Sequence, residues 1–352
     1  MSLALESQWP VLDLQEWAGE IIARHTGAEA GWVSCGAGAG LSLAAAACIA
    51  GTDPVLTSTL PNAGGAAREI IIQRSHRQSY DRVFLLAGAS IREIGYPDSD
   101  GIGGTYEWEL EAAIGAETAA VAYSAHAEKS GISLKRICEL AHAHDLPVIV
   151  DAADALPPVA NLTRFIAEGA DLVAFSGGKA LGGPQTSGIL AGRKHLIESV
   201  RMQALDMYVD PAAWTQRYGE LPPHHGIGRV MKVGKEQIFG LVAALEQFAN
   251  TDHDRICADY VEWLLKLRGA IGAGVVDRSS SYYPRLVLTT SNEGARTIAT
   301  LLSRCEPPII VRHHTLARGE VVICPESVDE IDRNHLVTCL QSALRLNSTE
   351  VH

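Results

Sequence analysis

The sequence predicts an α/β protein, with a large domain built on a mostly parallel seven-stranded sheet and a smaller C-terminal α+β domain. Three observations predict it. From about residue 28 to 200, short apolar runs alternate with helix-like segments, the pattern of βαβ units. Two of those runs, 148–150 and 172–175, end directly in small or polar residues. Buried parallel strands end this way where they reach the ligand-binding rim of an open sheet. After about residue 250 the order changes to helix, strand, helix, strand pair, helix. At 352 residues and 47% hydrophobic, the chain can bury the cores of two domains.

Residues 14–26 read as an amphipathic helix with Leu14, Trp17, Ile21 and Ile22 on one side, so 1–26 is taken as an N-terminal helical segment. The large domain spans 27–235. Its candidate strands are 31–34, 54–57, 69–73, 119–123, 148–151, 172–175 and 187–191, joined by Ala-rich helices such as AAAACIAG at 44–51. MKVGKEQIFGLVAALEQFA, 231–249, suits a long helix leaving that domain, and 236–352 is read as this linking helix with the small domain. The small domain's pieces are RLVLTT, ARTIATLLSRC, PIIVRHH, EVVICP and DEIDRNHLVTCLQSALRL.

The chemistry gathers between 148 and 190. Asp151 closes one apolar run, and Ser-Gly-Gly-Lys closes the next, with Lys179 placed 28 residues after Asp151. Such an ordered pair suits a pyridoxal 5'-phosphate (PLP) enzyme. Lysine forms an imine with the cofactor aldehyde, and aspartate keeps the pyridine nitrogen protonated so that the ring accepts electrons. In SCGAGAG, Ser34, Gly36, Ala37 and Gly38 offer backbone N–H groups where a helix begins, and the helix dipole there favours an anion such as the cofactor phosphate. Ser176, three residues before Lys179, adds a hydroxyl. YSAHAEKSGI at 123–132 follows another strand and directs Ser124 and His126 to the same rim. No His, Cys or carboxylate pair has metal-ligand spacing, so no catalytic metal is expected.

VDAADALPP, ADLVAFSGGKALGGPQTSGILAG, IIIQRSHRQSYD and GRVMKVGKE resemble blocks of the selenocysteine synthase-like family, and the likeness covers roughly residues 15–330. These are fold-type I PLP enzymes with an aspartate aminotransferase-like fold, and D-glucosaminate-6-phosphate ammonia-lyase forms one branch. The resemblance implies that Lys179 carries PLP and that His76 lies over the pyridine face. It places Tyr80, Arg74 and Arg77 near the pocket or a subunit boundary, and Arg312 on a small-domain strand as the clamp for a substrate carboxylate. Arg229, Lys232 and Lys235 start a long helix, where cations oppose the dipole unless they share an anion. That anion is a substrate group or the cofactor phosphate of a partner subunit, since fold-type I sites usually lie at a dimer boundary. A homodimer or larger homo-oligomer is therefore expected. Departures exist: Gly182 stands where lyase-like members tend to have arginine, and Asp154 and Ala155 where relatives often have Ala and Gln.

The formal charge of −12 and the absence of a Lys/Arg run argue against nucleic acid as a partner, and so against selenocysteine synthesis on tRNA. No apolar run approaches the ~20 residues of a membrane span. The N-terminus lacks the basic start of a signal peptide, and seven cysteines without CxxC spacing read as reduced thiols, so a cytoplasmic protein is expected. The resemblance favours a PLP-dependent lyase of the ammonia-lyase or dehydratase type on a small hydroxylated amino acid or amino sugar acid. There Lys179 removes the Cα proton, and β-elimination leads to a 2-oxo acid and ammonia. The residues alone suit an aldolase, racemase or transaminase equally, and a PLP-binding fold without chemistry is the non-enzyme alternative.

Overall fold

The computed structural model describes residues 8–96, 104–205, 210–218, 225–279 and 282–349. The chain divides into two units, Met1–Thr251 and Asp252–His352, so the Lys235–Ala249 helix belongs with the first. The first unit holds a seven-stranded sheet. Its strands are β1 (Ala30–Ser34), β2 (Glu69–Gln73), β3 (Ser90–Ile94), β4 (Thr118–Ser124), β5 (Val148–Asp151), β6 (Leu172–Ser176) and β7 (Gly188–Gly192), in the order β1-β7-β6-β5-β4-β2-β3. Only β7 runs against its neighbours, so β4, β5 and β6 end at the same rim.

Successive strand residues point to opposite faces, and each face builds its own core. Ile71, Val121, Val150 and Val173 pack with Ile22, Ile238 and Leu241 on one side. Ile70, Ile72, Ile149, Leu172 and Ala174 pack on the other against Leu43 to Ala47 of the Ala37–Ala50 helix. That helix is apolar around its whole circumference, which is why it lies in the interior. The Val11–Thr26 helix covers the edge of the sheet at β1. Gln15 donates to the Val33 carbonyl at 2.9 Å and accepts from its N–H at 3.0 Å, satisfying groups that an open edge would leave unpaired.

Two elements differ from the sequence reading. The expected strand at 54–57 is the Pro54–Thr59 helix, because Asp53 accepts from the N–H groups of Val55 (2.7 Å) and Leu56 (3.1 Å), and Pro54 sits in the first turn. The seventh strand is instead β3, a half-buried edge strand whose Arg92 and Glu93 mask its pattern.

The second unit has an antiparallel sheet of β8 (Val275–Asp277), β9 (Arg285–Thr289) and β10 (Glu320–Ile323) in the order β10-β9-β8. The His253–Ile271, Asn292–Ser303 and Arg333–Thr349 helices pack Leu264, Ile298, Leu302 and Leu340 against Leu286, Leu288 and Val321. The strand pair therefore precedes the middle helix rather than following it. PIIVRHH is not a strand: an extended stretch follows Pro307 and Pro308, which have no N–H for a ladder, and a 3-10 turn (His313–Arg318) begins directly after Arg312. Among the described residues no helix is long and apolar enough to cross a membrane.

Candidate active site

A cleft of about 320 Å³ opens at the rim where β4, β5 and β6 end and the Ala37–Ala50 helix begins. Asp151, the last residue of β5, lines it half-buried. Its Oδ1 accepts from the Ala153 N–H at 3.1 Å and its Oδ2 from Gln78 Nε2 at 2.7 Å. Burial raises its pKa. The two hydrogen bonds and the charge of Lys179 work in the opposite direction, and Asp154 adds to the rise.

Lys179 lines the same cleft from the turn after β6, with its side chain exposed. Backbone bonds from Gly177 to the Ser187 carbonyl (2.9 Å) and from Gly183 to the Gly177 carbonyl (2.8 Å) close this turn. A Cβ at Gly177 would collide with Ser187 and Leu241, so glycine is what lets the lysine turn lie flat on the Lys235–Ala249 helix. Ser176 stands at the foot of the turn and also lines the cleft.

At the other end, Ala37 and Gly38 bring the first turn of the buried helix to the cleft. The opening N–H groups of a helix lack intrahelical partners, and no acidic residue occupies this turn. Gly36 makes the bend at φ 146°, in the region that favours glycine. Ser34 precedes the bend and is not among the residues lining the cleft. It is fully buried, its hydroxyl donates to the Gly36 carbonyl at 2.9 Å, and it shapes the bend rather than facing the cleft. The donor set fits PLP: helix N–H groups and Ser176 for the phosphate, Lys179 for the aldehyde and Asp151 for the ring nitrogen.

His76 is not among the residues lining this cleft: it is 1% exposed, packed edge-on against Tyr123 with ring centroids 4.5 Å apart, and it borders a small void shared with Gln78, Ser124 and Asp151. Its Nδ1 accepts from the Ser124 N–H at 3.1 Å, and its Nε2 lies 3.0 Å from the Ser130 carbonyl. With both nitrogens engaged below the rim, it ties the end of β4 to the following loop. Burial lowers its pKa, so the folded state binds fewer protons than the unfolded one as pH falls below about 6.5. Stability present above that pH is lost as pH falls towards the depressed value. His76→Gln should flatten this slope in urea melts and cost about 1–3 kcal/mol at neutral pH. An unchanged slope in the variant would assign the titration to another group.

Tyr80 and His126 line the cleft, both exposed, and His126 Nδ1 is 3.8 Å from Asp154 Oδ2. Arg229, in the Ile227–Met231 turn, and exposed Lys232 are not among the residues lining it. Arg312 lies exposed in the second unit, beside a groove lined by Val322, Cys324 and His335. Among the polar lining residues, Gln78, Asp154 as a cleft group, and Gln185 escaped the sequence reading. Gln78 sits inside the recognised 70–81 block, but a neutral amide carries no pattern that marks it.

A family model described as L-seryl-tRNA selenium transferase matches residues 16–210. The chain is 31% identical over 351 residues to a Streptomyces 5'-C-glycyluridine monooxygenase-decarboxylase, covering 94% of this chain and 80% of that protein. It is 35% identical over 242 residues to D-glucosaminate-6-phosphate ammonia lyase of Salmonella typhimurium, covering 67% of this chain and 58% of that one. The solved structure of a D-glucosaminate-6-phosphate ammonia-lyase superposes with a TM-score of 0.80 at 28% identity, over 99% of this chain and 90% of that one. With the sheet order and the Asp151–Lys179 cleft, these matches establish that the chain belongs to the L-seryl-tRNA selenium transferase family, the selenocysteine synthase-like group of fold-type I PLP enzymes.

Proposed function

We propose that this protein is a PLP-dependent lyase that releases ammonia and a 2-oxo acid from a small hydroxylated amino acid or amino sugar acid. The observation that carries the proposal is the single cleft shared by Asp151, Ser176, Lys179 and the Ala37–Gly38 helix start. When bound, the cofactor supplies an electron sink that weakens the bonds at the substrate Cα. Lys179 would hold the cofactor and, with its amine free, would take the substrate Cα proton on Nζ. Asp151 would keep a proton on the ring nitrogen, and the helix start with Ser176 would hold the phosphate. Loss of the β-hydroxyl as water, then uptake of water as ammonia leaves, balances the reaction.

Tyr80 and His126 line the cleft, and we assign them as substrate contacts. Because Arg229 and Lys232 do not line the cleft of their own chain, we assign them to an anion bound across a homodimer. The relative named for a phosphorylated sugar acid supports the lyase reading. Gly182 offers no guanidinium where lyase-like members tend to have one, which favours a non-phosphorylated substrate. The relative that spans 94% of the chain is named a monooxygenase-decarboxylase, and it defines the competing reading.

One experiment separates the readings. Purified, PLP-loaded protein is incubated with a panel of hydroxy amino acids and sugar amino acids, in air and under argon, while ammonia, 2-oxo acid and carbon dioxide are assayed. A lyase yields ammonia and 2-oxo acid equally in both atmospheres. Oxygen-dependent carbon dioxide release would favour the decarboxylase instead. At a charge of −12, no salt-sensitive tRNA binding is expected in a gel shift. Tight tRNA binding with no turnover across the panel would move the protein to the selenium-transferase reaction.

A further inference from the structure

We infer that Gln78 is a positioning residue for Asp151, presenting that carboxylate to the cofactor ring in one fixed orientation and in its charged form. The inference rests on the cofactor reading above, but part of its test does not need the cofactor.

A half-buried carboxylate gains by taking up a proton, and a protonated Asp151 would have no charge to offer a ring nitrogen. Two donors oppose this, one on each oxygen. The Ala153 N–H on Oδ1 comes from the turn that Asp151 itself begins, so any side chain at 153 other than proline would supply it. The Gln78 amide on Oδ2, at 2.7 Å, arrives from the loop after β2, across β4 from β5. The side chain at 78 therefore decides whether the second donor exists. An amide also suits the task chemically. It donates firmly but has no labile proton to pass to the carboxylate, so the charge stays on Asp151. The charged groups acting on Asp151, Asp154 from its own turn and Lys179 from the loop after β6, oppose one another. The neutral donors thus work against the rise that burial imposes, and loss of either one leaves the protonated form further favoured.

The loop that carries Gln78 is itself clamped. The Gln78 N–H donates to Asp81 Oδ2 at 3.1 Å, and the same oxygen is held by Arg77. Arg77 reaches on to Glu93 of β3 at 2.6 Å, and Arg74 joins Glu93 from the same loop. Asp81 is buried, so this contact lies in a less screened setting than an exposed ion pair. A contact series thus runs from the sheet edge at β3 to Asp151 on β5, and it ends in the one donor that substitution at 78 can remove. The mixed charge of the 74–81 block is explained by this clamp.

Gln78→Leu and Gln78→Met both remove the donor while filling much of the space, and two variants guard against one failing to fold. In cofactor-free protein, the Asp151 side-chain carboxyl is followed by carbon NMR, assigned by its loss in Asp151→Asn. Its titration midpoint should move to higher pH in both variants. In protein loaded with PLP labelled with nitrogen-15 in the ring, the resonance should shift from the protonated towards the unprotonated position, and kcat should fall about 10–100-fold with little change in KM. An unmoved carboxyl midpoint together with an unmoved ring-nitrogen resonance overturns the inference, even if turnover falls. If the midpoint moves but the wild-type protein takes up no PLP, the cofactor reading fails while the positioning of Asp151 stands.

Discussion

Borohydride reduction of the PLP-loaded protein is expected to fix a pyridoxyl group on the peptide that contains Lys179, and Lys179→Ala is expected to abolish measurable turnover. The proposed function gives the lysine two tasks, to hold the cofactor and to move the Cα proton. Loss of a positioned general base alone costs roughly 10²–10⁴-fold in rate. Removal of the covalent anchor adds to that loss. The variant should still take up some cofactor, because the Ala37–Gly38 helix start, Ser176 and Asp151 remain in the cleft. Peptide mapping by mass spectrometry reads the position of the label directly. Lys194 and Lys235 are the useful controls. Lys194 opens the Lys194–Gln203 helix beside Ala30 and Gly31, at the end of β1 opposite the cleft. A label there or on Lys235 would overturn the assignment of the whole site.

Asp151→Asn should lower turnover by about 10²–10³-fold, the range found when one preorganised electrostatic partner of a developing charge is lost. The substitution keeps the size of the side chain and one of its two acceptor oxygens while removing its charge. Ring-nitrogen protonation then loses its support, and the effect falls on the step in which the ring accepts electrons. Cofactor binding should survive, since the phosphate anchor and Lys179 are untouched. The measurements are cofactor content by absorbance and steady-state rates on the best substrate from the panel. Turnover within a few-fold of wild type would assign the strand-end aspartate another role.

These two residues were legible in the sequence for a physical reason. A buried parallel strand is a short apolar run, and the residue that ends it sits at the rim whatever the rest of the fold does. Asp151 and the Ser-Gly-Gly-Lys turn lie at two such ends, and β5 and β6 are neighbours in the sheet. The helix start at Ala37 was equally local, a run of small residues opening an all-apolar segment. The strand expected at 54–57 failed because a cap outweighs an apolar pair: two N–H groups bonded to Asp53 commit Val55 and Leu56 to a helical turn. The edge strand β3 was hidden because only one of its sides is paired, and its charged residues break the apolar run.

The sequence by itself determined the fold class, the family and the placement of Asp151 and Lys179 at neighbouring strand ends, since each follows from patterns within short stretches of chain. Only the tertiary structure decided which side chains of the 74–81 loop face inward. His76 and Gln78 lie two residues apart in tight turns, where neither the helical nor the strand period applies, so no spacing rule says which is buried. Contacts from distant strands settle it: the Ser124 N–H and the Ser130 carbonyl draw His76 beneath the rim, while the carboxylate of Asp151 draws the Gln78 amide to the cleft. Partners 48 to 73 residues away in the chain leave no local trace, because a hydrogen bond depends on where the two atoms meet and not on the sequence between them.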